Sequence, residues 1–561
     1  MPNEVELLDL LLKNRGIKIE DRDKFLNPSY EEGLYDSFLM KDMEKAVVRI
    51  FEAVEAKEKI VIYSDYDCGG IPASVIMHDF FNKINYKNFS IYIPDRHDEG
   101  YGLHMDAIKK FIDEEVQLLI TFDLGITALE EVVEAKAGGI DVIITDHHLP
   151  RLASGKAGIP IQELPNAYAI LNPKQEGCNY PDKMLCGAGI AFKLVQALIS
   201  KYGEYWNISK GWEKWLLDMV GVATLADQVP LLDENRVFAY FGLKVLQKGK
   251  RLGLVEIFKK AGVDITRLTE EDVTFTLAPR INAASRMADP MMAFEMLSAT
   301  DAVIAKSSAD NLAKINDERK VIVAHMMKEV KKVLSHREEK SVIVIGNPSW
   351  RIGVLGIIAS KIVEEYKRPV FVWGSDGSDE LKGSCRSYGG VDLVELMNSL
   401  PEGSLSGFGG HKGAGGFSVS HEEIHFLEDR ILKVFGSDRE VEEEAKSEGA
   451  EAIISMDDVT NANMSVIEKL APYGVGNPKP TFLFKDIPIG GVKEFGKEKN
   501  HLELSFFNNK GKVVKAIAFF KNKESYDGKI NVGERINLVA TFEKSTFGGR
   551  TELRLRIVDV I

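Results

Sequence analysis

Four short apolar runs constrain this chain more than anything else in it: KIVIYSDYD, FSIYIPD, VQLLITFD and IDVIITDHH, all between residues 59 and 148. Each is rich in β-branched residues, and the stretches between them (ASVIMHDFFNKI, HMDAIKKFIDEE, ALEEVVEAKAG) carry helical patterning. Strands alternating with helices at this spacing predict an α/β domain with a doubly wound parallel sheet. Polar residues collect where each run ends: Asp65 and Asp67, Asp95 and Arg96, Asp123, then Asp146, His147 and His148. In such sheets ligands bind outside the carboxyl ends of the strands, so the four ends are expected to converge on one crevice.

A lone Asp at a strand end is usually a turn or cap residue, and Asp146 alone would be read that way. The ordered set Asp67, Asp123, His147 and Asp227 reads differently. Hard carboxylates with imidazole and no thiolate suit Mn²⁺ or Mg²⁺ better than structural zinc. Two such ions need a bridging carboxylate with terminal ligands on either side, and they serve in-line displacement at phosphorus.

The chain of 561 residues is too long for one core. The expected order is a helical lead-in (1–55), the α/β domain (56–240), a helical connection (241–338), a second α/β domain (339–436), a charged linker (437–457) and a small OB-like β-barrel (458–561). The linker contains DREVEEEAKSEGAEA, and the barrel is read from short β-like runs between Gly, Asn and Lys turns. No apolar run approaches the roughly 20 residues of a membrane helix, and the N-terminus lacks signal-peptide order. Cys68, Cys178, Cys186 and Cys385 form no CxxC pair, which fits reduced thiols in the cytoplasm. The net charge of −14 is unevenly spread: from Gly474 onward 16 Lys and Arg face 10 Asp and Glu. A basic tail on an acidic body keeps nucleic acid open as a partner.

Here the motifs resemble a family. TDHHLP (145–150) resembles the signature of the DHH phosphoesterases, YSDYDCGGIPAS their first motif, TFDLGIT the second and VATLADQVPLLDENR the fourth. LAPRINAASRM, GSCRS, GFGGHKGAGGFS and LAPYGVGNPKPTF are similar to segments of RecJ-like exonucleases, so the resemblance spans the chain. It implies 5′ to 3′ degradation of single-stranded DNA to mononucleotides, in repair and recombination, with two Mn²⁺ or Mg²⁺ ions. Asp67, Asp123, His147 and Asp227 match metal ligands, with Asp123 the expected bridge and His148 either approaching the scissile phosphate or supporting the ligands from behind. Arg96, Arg280, Ser384 and Arg386 match a pocket for a 5′-terminal phosphate. Single-stranded DNA is the implied partner, with repair or replication proteins beside it and no membrane.

His411 and Lys412, in GGHKGAGG, are expected to approach DNA, since a Gly-rich backbone permits close contact. In the tail, Lys497, Lys499, Lys510, Lys512, Lys515, Lys521 and Lys523 lie among Phe495, Phe506, Phe507, Phe519 and Phe520. Basic residues with aromatics suit single strands, although most of these rings are expected in the barrel core.

One position departs from the pattern. Where the family motif reads DxDxDG, this chain has Asp65-Tyr66-Asp67-Cys68-Gly69-Gly70, so Gly69 stands in place of a ligand carboxylate. Two alternatives therefore stay open: a strand-binding or scaffold homologue with impaired cleavage, and a DHH phosphoesterase acting on short oligonucleotides or cyclic dinucleotides.

Overall fold

The computed structural model of the chain describes residues 4–154, 160–436, 449–496, 499–526, 530–545 and 551–561. It separates into two compact units: Tyr35–Asp227 with Phe241–Ala445, and Met1–Leu34 with Gln228–Tyr240 and Lys446–Ile561. Residues 437–448 of the expected linker lie outside the described residues.

The larger unit holds two sheets. The first is wholly parallel, in the order Phe89–Tyr92, Ile60–Ser64, Leu118–Phe122, Asp141–Thr145, Ala169–Leu171. Ile60–Ser64 and Leu118–Phe122 are buried at every position, as parallel strands covered by helices on both faces must be. Alternate side chains (Val61, Tyr63, Leu119, Val142, Ile144) pack against Ile108 and Phe111 of the helix Met105–Asp113. The second sheet is mixed, in the order Gly407–His411, Ala414–Ser420, Glu380–Arg386, Val370–Gly374, Ile343–Gly346. Between the two sheets run the helices Leu252–Ala261, Ala278–Met287, Met291–Ser298 and Ala302–Leu334. Asp301 starts the last by accepting from the backbone N–H of Val303 and Ile304.

The smaller unit is built on a seven-stranded sheet formed by strands between Ala452 and Val560. Its core joins Phe482, Phe484, Leu504 and Phe542 to Leu7, Leu11 and Leu12 of the helix Glu4–Asn14, and to Phe25. The first 34 residues thus group with the C-terminal sheet; only Tyr35 onward belongs with the parallel sheet that a 1–55 lead-in would introduce. An amphipathic helix declares its apolar face in sequence but not the surface that will cover it. Among the described residues no helix is long and apolar enough to cross a membrane. All four cysteines are free and buried.

Candidate metal centre and phosphate pocket

The parallel sheet brings its carboxyl ends together as the strand-end pattern requires. Asp65, Asp67 and Asp123 each place an oxygen within 4.8 Å of the others, and Asp123, His147 and His148 form a second such group. Asp227 caps the helix Leu217–Ala226 and approaches the same point. His147 Nε2 lies 3.2 Å from Asp123 Oδ1 and 3.4 Å from Asp227 Oδ2.

Asp123 occupies an unusual position. Its φ of 65° is left-handed, a region most side chains avoid and one found at functional sites. A Cβ on Gly187 would lie 2.3 Å from Asp123 Oδ1, and a Cβ on Gly69 would lie 2.3 Å from Oδ2. Two glycines therefore make room for one carboxylate. Asp123 Oδ1 and Asp227 Oδ2 are both buried without a hydrogen-bond partner among the described residues. Burial, then Asp67, Asp227, Asp65 and Asp146, raises the Asp123 carboxyl well above its ordinary value. Burial and Asp67 likewise push Asp227 up to about 6. Burial and His148 lower His147 to about 4, so its imidazole is neutral and has at most one proton for two carboxylates. Buried carboxylate oxygens that lack donors, facing a neutral imidazole nitrogen, fit a divalent cation.

The neighbouring groups hold this cluster in place. Asp67 Oδ1 accepts from the N–H of Gly69 at 2.7 Å and of Gly70 at 3.2 Å. Asp146, fully buried, accepts from the N–H of Ile126, His147 and His148 and from His148 Nδ1 at 2.8 Å. Burial draws His148 downward, but the Asp146 hydrogen bond and charge outweigh it and hold the imidazole above its usual range. Tyr101 Oη lies 3.2 Å from the same Nδ1. Asp146 is thus more than a turn residue, because it orients His148.

Two supports come from a strand absent from the sequence reading. After Ala169–Leu171, Asn172 Nδ2 donates to the His148 carbonyl at 2.9 Å, and Lys174 Nζ donates to the His147 carbonyl at 2.6 Å. That strand is only three residues long, too short for a periodic signal.

The arginines divide into two groups. Arg386 donates to Ser384 Oγ at 3.1 Å, and the Arg96 guanidinium lies 4.9 Å from the Tyr66 ring centre. Arg286, which sequence reasoning passed over, belongs with them. Its Nη1 donates to Gly353 at 3.1 Å, and its carbonyl lies 3.2 Å from His97 Nε2. Burial, then Arg96, Arg319 and Arg386, lowers Arg286 to about 9, with Asp67 opposing. Arg280 lies six residues earlier on the helix Ala278–Met287, about 240° away around its axis at 3.6 residues per turn. It donates to the Thr276 carbonyl at 2.5 Å. A helical phase separates these two arginines, and sequence alone does not say which one lies toward Arg96 and Arg386. His411 and Lys412 are exposed where the strands Gly407–His411 and Ala414–Ser420 turn.

Carboxylates and imidazole at the ends of a parallel sheet, with an arginine pocket in the same unit, define a DHH-type phosphoesterase. Residues 59–224 match the DHH family, N-terminal domain, 339–437 the DHHA1 domain and 450–559 the RecJ OB domain. The chain is 34% identical to the single-stranded-DNA-specific exonuclease RecJ of Bacillus subtilis, over 99% of this chain and 67% of that protein. Identity to the Haemophilus influenzae RecJ is 31%, over 99% and 96%. A crystal structure of Thermus thermophilus RecJ in complex with Mn²⁺ superposes with a TM-score of 0.80 at 25% identity, covering 99% of this chain and 76% of that one. This chain belongs to the RecJ family of single-stranded-DNA-specific exonucleases.

Proposed function

We propose that the chain hydrolyses single-stranded DNA from its 5′ end to mononucleotides, with Mn²⁺ or Mg²⁺ at the strand-end cluster. The observation that carries the reading is the pair of buried carboxylate oxygens, on Asp123 and Asp227, that lack hydrogen-bond partners among the described residues beside a neutral His147. Asp67 and Asp123, with Asp65 beside them, would hold one ion; Asp123, His147 and Asp227 would hold the other. Such ions supply a nucleophile at neutral pH and offset charge building on phosphorus. The residues do the rest. Asp146 fixes His148 through Nδ1, which leaves Nε2 to meet a phosphate oxygen, and the raised proton affinity of His148 favours donation there. Lys174 and Asn172 hold the backbone of both histidines. Arg96, Arg286, Ser384 and Arg386 would bind the terminal phosphate and so set polarity, since forked guanidinium groups suit such an end. A short-substrate phosphoesterase would have no use for the OB domain at 450–559. We place the activity in the cytoplasm, in line with the four free thiols, and among repair or replication proteins.

Metal-dependent release of nucleotides from a 5′-phosphorylated single strand tests the reading directly. Arg386→Ala should weaken use of phosphorylated ends by about tenfold or more, the worth of one charge-assisted hydrogen bond, and leave hydroxyl-ended strands nearly unchanged. Arg286→Gln should reproduce that selectivity. Equal losses on both ends would remove the phosphate assignment.

In the smaller unit a groove of about 1240 Å³ is lined by Lys493, Lys510, Lys512, Lys515, Arg554 and Phe495, among others. Of the aromatic candidates, Phe506 is core, while Phe507 and Phe520 are 56% and 81% exposed and available for stacking. Lys497 lies outside the described residues. Truncation near Ser455 would strip the cover from Leu7, Leu11 and Leu12, so charge substitution is the cleaner test. Replacing Lys493, Lys510 and Lys512 with Gln should reduce the salt dependence of strand binding by about 2 in log–log slope, roughly 0.7 for each phosphate no longer neutralised. An unchanged slope would assign the groove to another role.

A further inference from the structure

Three N–H groups follow Asp67 in its loop. Those of Gly69 and Gly70 turn back to Asp67 Oδ1, whereas that of Cys68 is donated outward, to Asn282 Oδ1 at 2.9 Å. Asn282 lies on the helix Ala278–Met287, four residues before Arg286. Residues four apart share a helix face, so the two lie on one side, a turn apart. The loop beside Asp67 is thus tied to the helix that carries Arg286.

A second tie runs from Arg96. Its loop is closed on itself: Glu99 accepts from Tyr92 Oη at 2.6 Å and from the Asp95 N–H at 2.7 Å, and the Asp95 carbonyl accepts from the N–H of Glu99 and Gly100 at 3.0 Å. Gly100 and Gly102, with φ of 88° and 113°, flank Tyr101 and supply turns that suit glycine. Tyr101 Oη donates to the Asp123 carbonyl at 3.4 Å and lies 3.2 Å from His148 Nδ1.

These two elements meet. His97 Nε2 lies 3.2 Å from the Arg286 carbonyl, and a Cβ on Gly353 would lie 2.1 Å from that carbonyl oxygen and 2.9 Å from His97 Cε1. A Cβ on Gly356, three residues on, would lie 2.9 Å from Arg386 Nη2 and 3.3 Å from Ser384 Oγ. One short segment therefore gathers Arg286, His97, Ser384 and Arg386. Arg96 and Arg386 act on Arg286 as like charges. A phosphate bound among the three guanidinium groups turns that repulsion into attraction and draws their elements together.

We propose that Asn282 and Tyr101 are positioning residues that couple the terminal-phosphate pocket to the strand-end cluster, so that a bound 5′-phosphate speeds the cut as well as anchoring the end. The coupling rests on the exonuclease reading and its phosphate assignment. Asn282 carries the pull on Arg286 back one helical turn to Cys68, between Asp67 and Gly69. Tyr101 carries it from the loop of Arg96 to the backbone of Asp123 and to His148. Sites are coupled when a packed or hydrogen-bonded element joins them and both bias its position.

The test uses the full chain in Mn²⁺ with two oligothymidylates, one 5′-phosphorylated and one 5′-hydroxyl, each labelled on its first nucleotide. Under single turnover with excess protein, label release gives the maximal rate of the first cut and, separately, the protein concentration at half-maximum. Wild type should cut the phosphorylated end about tenfold faster at saturation. Asn282→Ala and Tyr101→Phe should each bring that ratio of maximal rates below about threefold, with the half-saturating concentration for the phosphorylated end kept within about twofold. Tyr101→Phe keeps the ring and removes only the hydroxyl, so its fold is not in question. Equal fractional losses of rate on both ends would reduce the two residues to structural supports and overturn the coupling. So would a change confined to half-saturation, or a wild type in which the phosphate alters half-saturation alone; each of these leaves the phosphate pocket standing. A wild type that cuts neither strand, or that does not distinguish the ends at all, would overturn the coupling together with the reading beneath it.

Discussion

Asp123→Asn lowers strand hydrolysis by about 10³-fold or more, and the same change makes the metal-free protein more stable. The first effect follows from position. Asp123 belongs to both groups of side chains that could hold a metal ion, with Asp65 and Asp67 on one side and His147 and His148 on the other. An amide there coordinates weakly, and three decades of rate correspond to only about 4 kcal/mol of barrier. The second effect follows from burial. Asp123 is 2% exposed, has an unpartnered oxygen and is crowded by Asp67, Asp227, Asp65 and Asp146. Without a cation that charge opposes folding, and asparagine removes it while adding donors for the carboxylates around it. Thermal unfolding in chelator and in Mn²⁺ reads both: the variant starts higher and loses the metal-induced rise. Activity above a tenth of wild type, or an undiminished Mn²⁺ shift, would show that Asp123 does not bridge the ions.

Gly69→Asp gives the second large effect, an increase in Mn²⁺ affinity and about tenfold or more in rate. The backbone permits it, since Gly69 has φ −85° and ψ −53°, ordinary helical values. The new Cβ would lie 3.2 Å from Asp67 Oδ1 and 2.3 Å from Asp123 Oδ2, so the Asp123 carboxylate must swing aside. With a cation present, the added carboxylate and the displaced one share it. Without one, a further negative charge enters a buried acidic cluster, so the variant should unfold earlier than wild type in chelator. Gly69→Ala separates the two contributions: it brings the same crowding and no ligand, and should lose activity. His147→Ala in the Gly69→Asp background should erase the gain. If aspartate and alanine at 69 behave alike, Asp123 already occupies the vacated place and the site has adapted to glycine.

Much of this protein is legible in one dimension. Runs such as KIVIYSDYD and VQLLITFD mark parallel strands because they are β-branched, apolar throughout and separated by helical stretches. The end of a strand is also visible, so Asp65, Asp67, Asp123, Asp146, His147 and His148 could be placed on one sheet edge from the sequence. The absence of a paired cysteine motif is a local fact of the same kind.

What stayed hidden depends on which surfaces meet. The helix Ala278–Met287 carries Arg280 and Arg286 on different sides, and only its packing brings Arg286 under the influence of Arg96 and Arg386. Phe506 and Phe507 alternate in and out of a strand, yet the sheet decides that Phe506 is core. The helix Glu4–Asn14 shows its leucines plainly but not that Phe482 and Leu504 share their core. Sequence periodicity by itself marked the first four strands, the helices between them and the acids and histidines at their ends, because these follow from neighbours along the chain. The tertiary structure decided every rotation about a helix axis and every pairing of distant surfaces, because burial depends on residues hundreds of positions away.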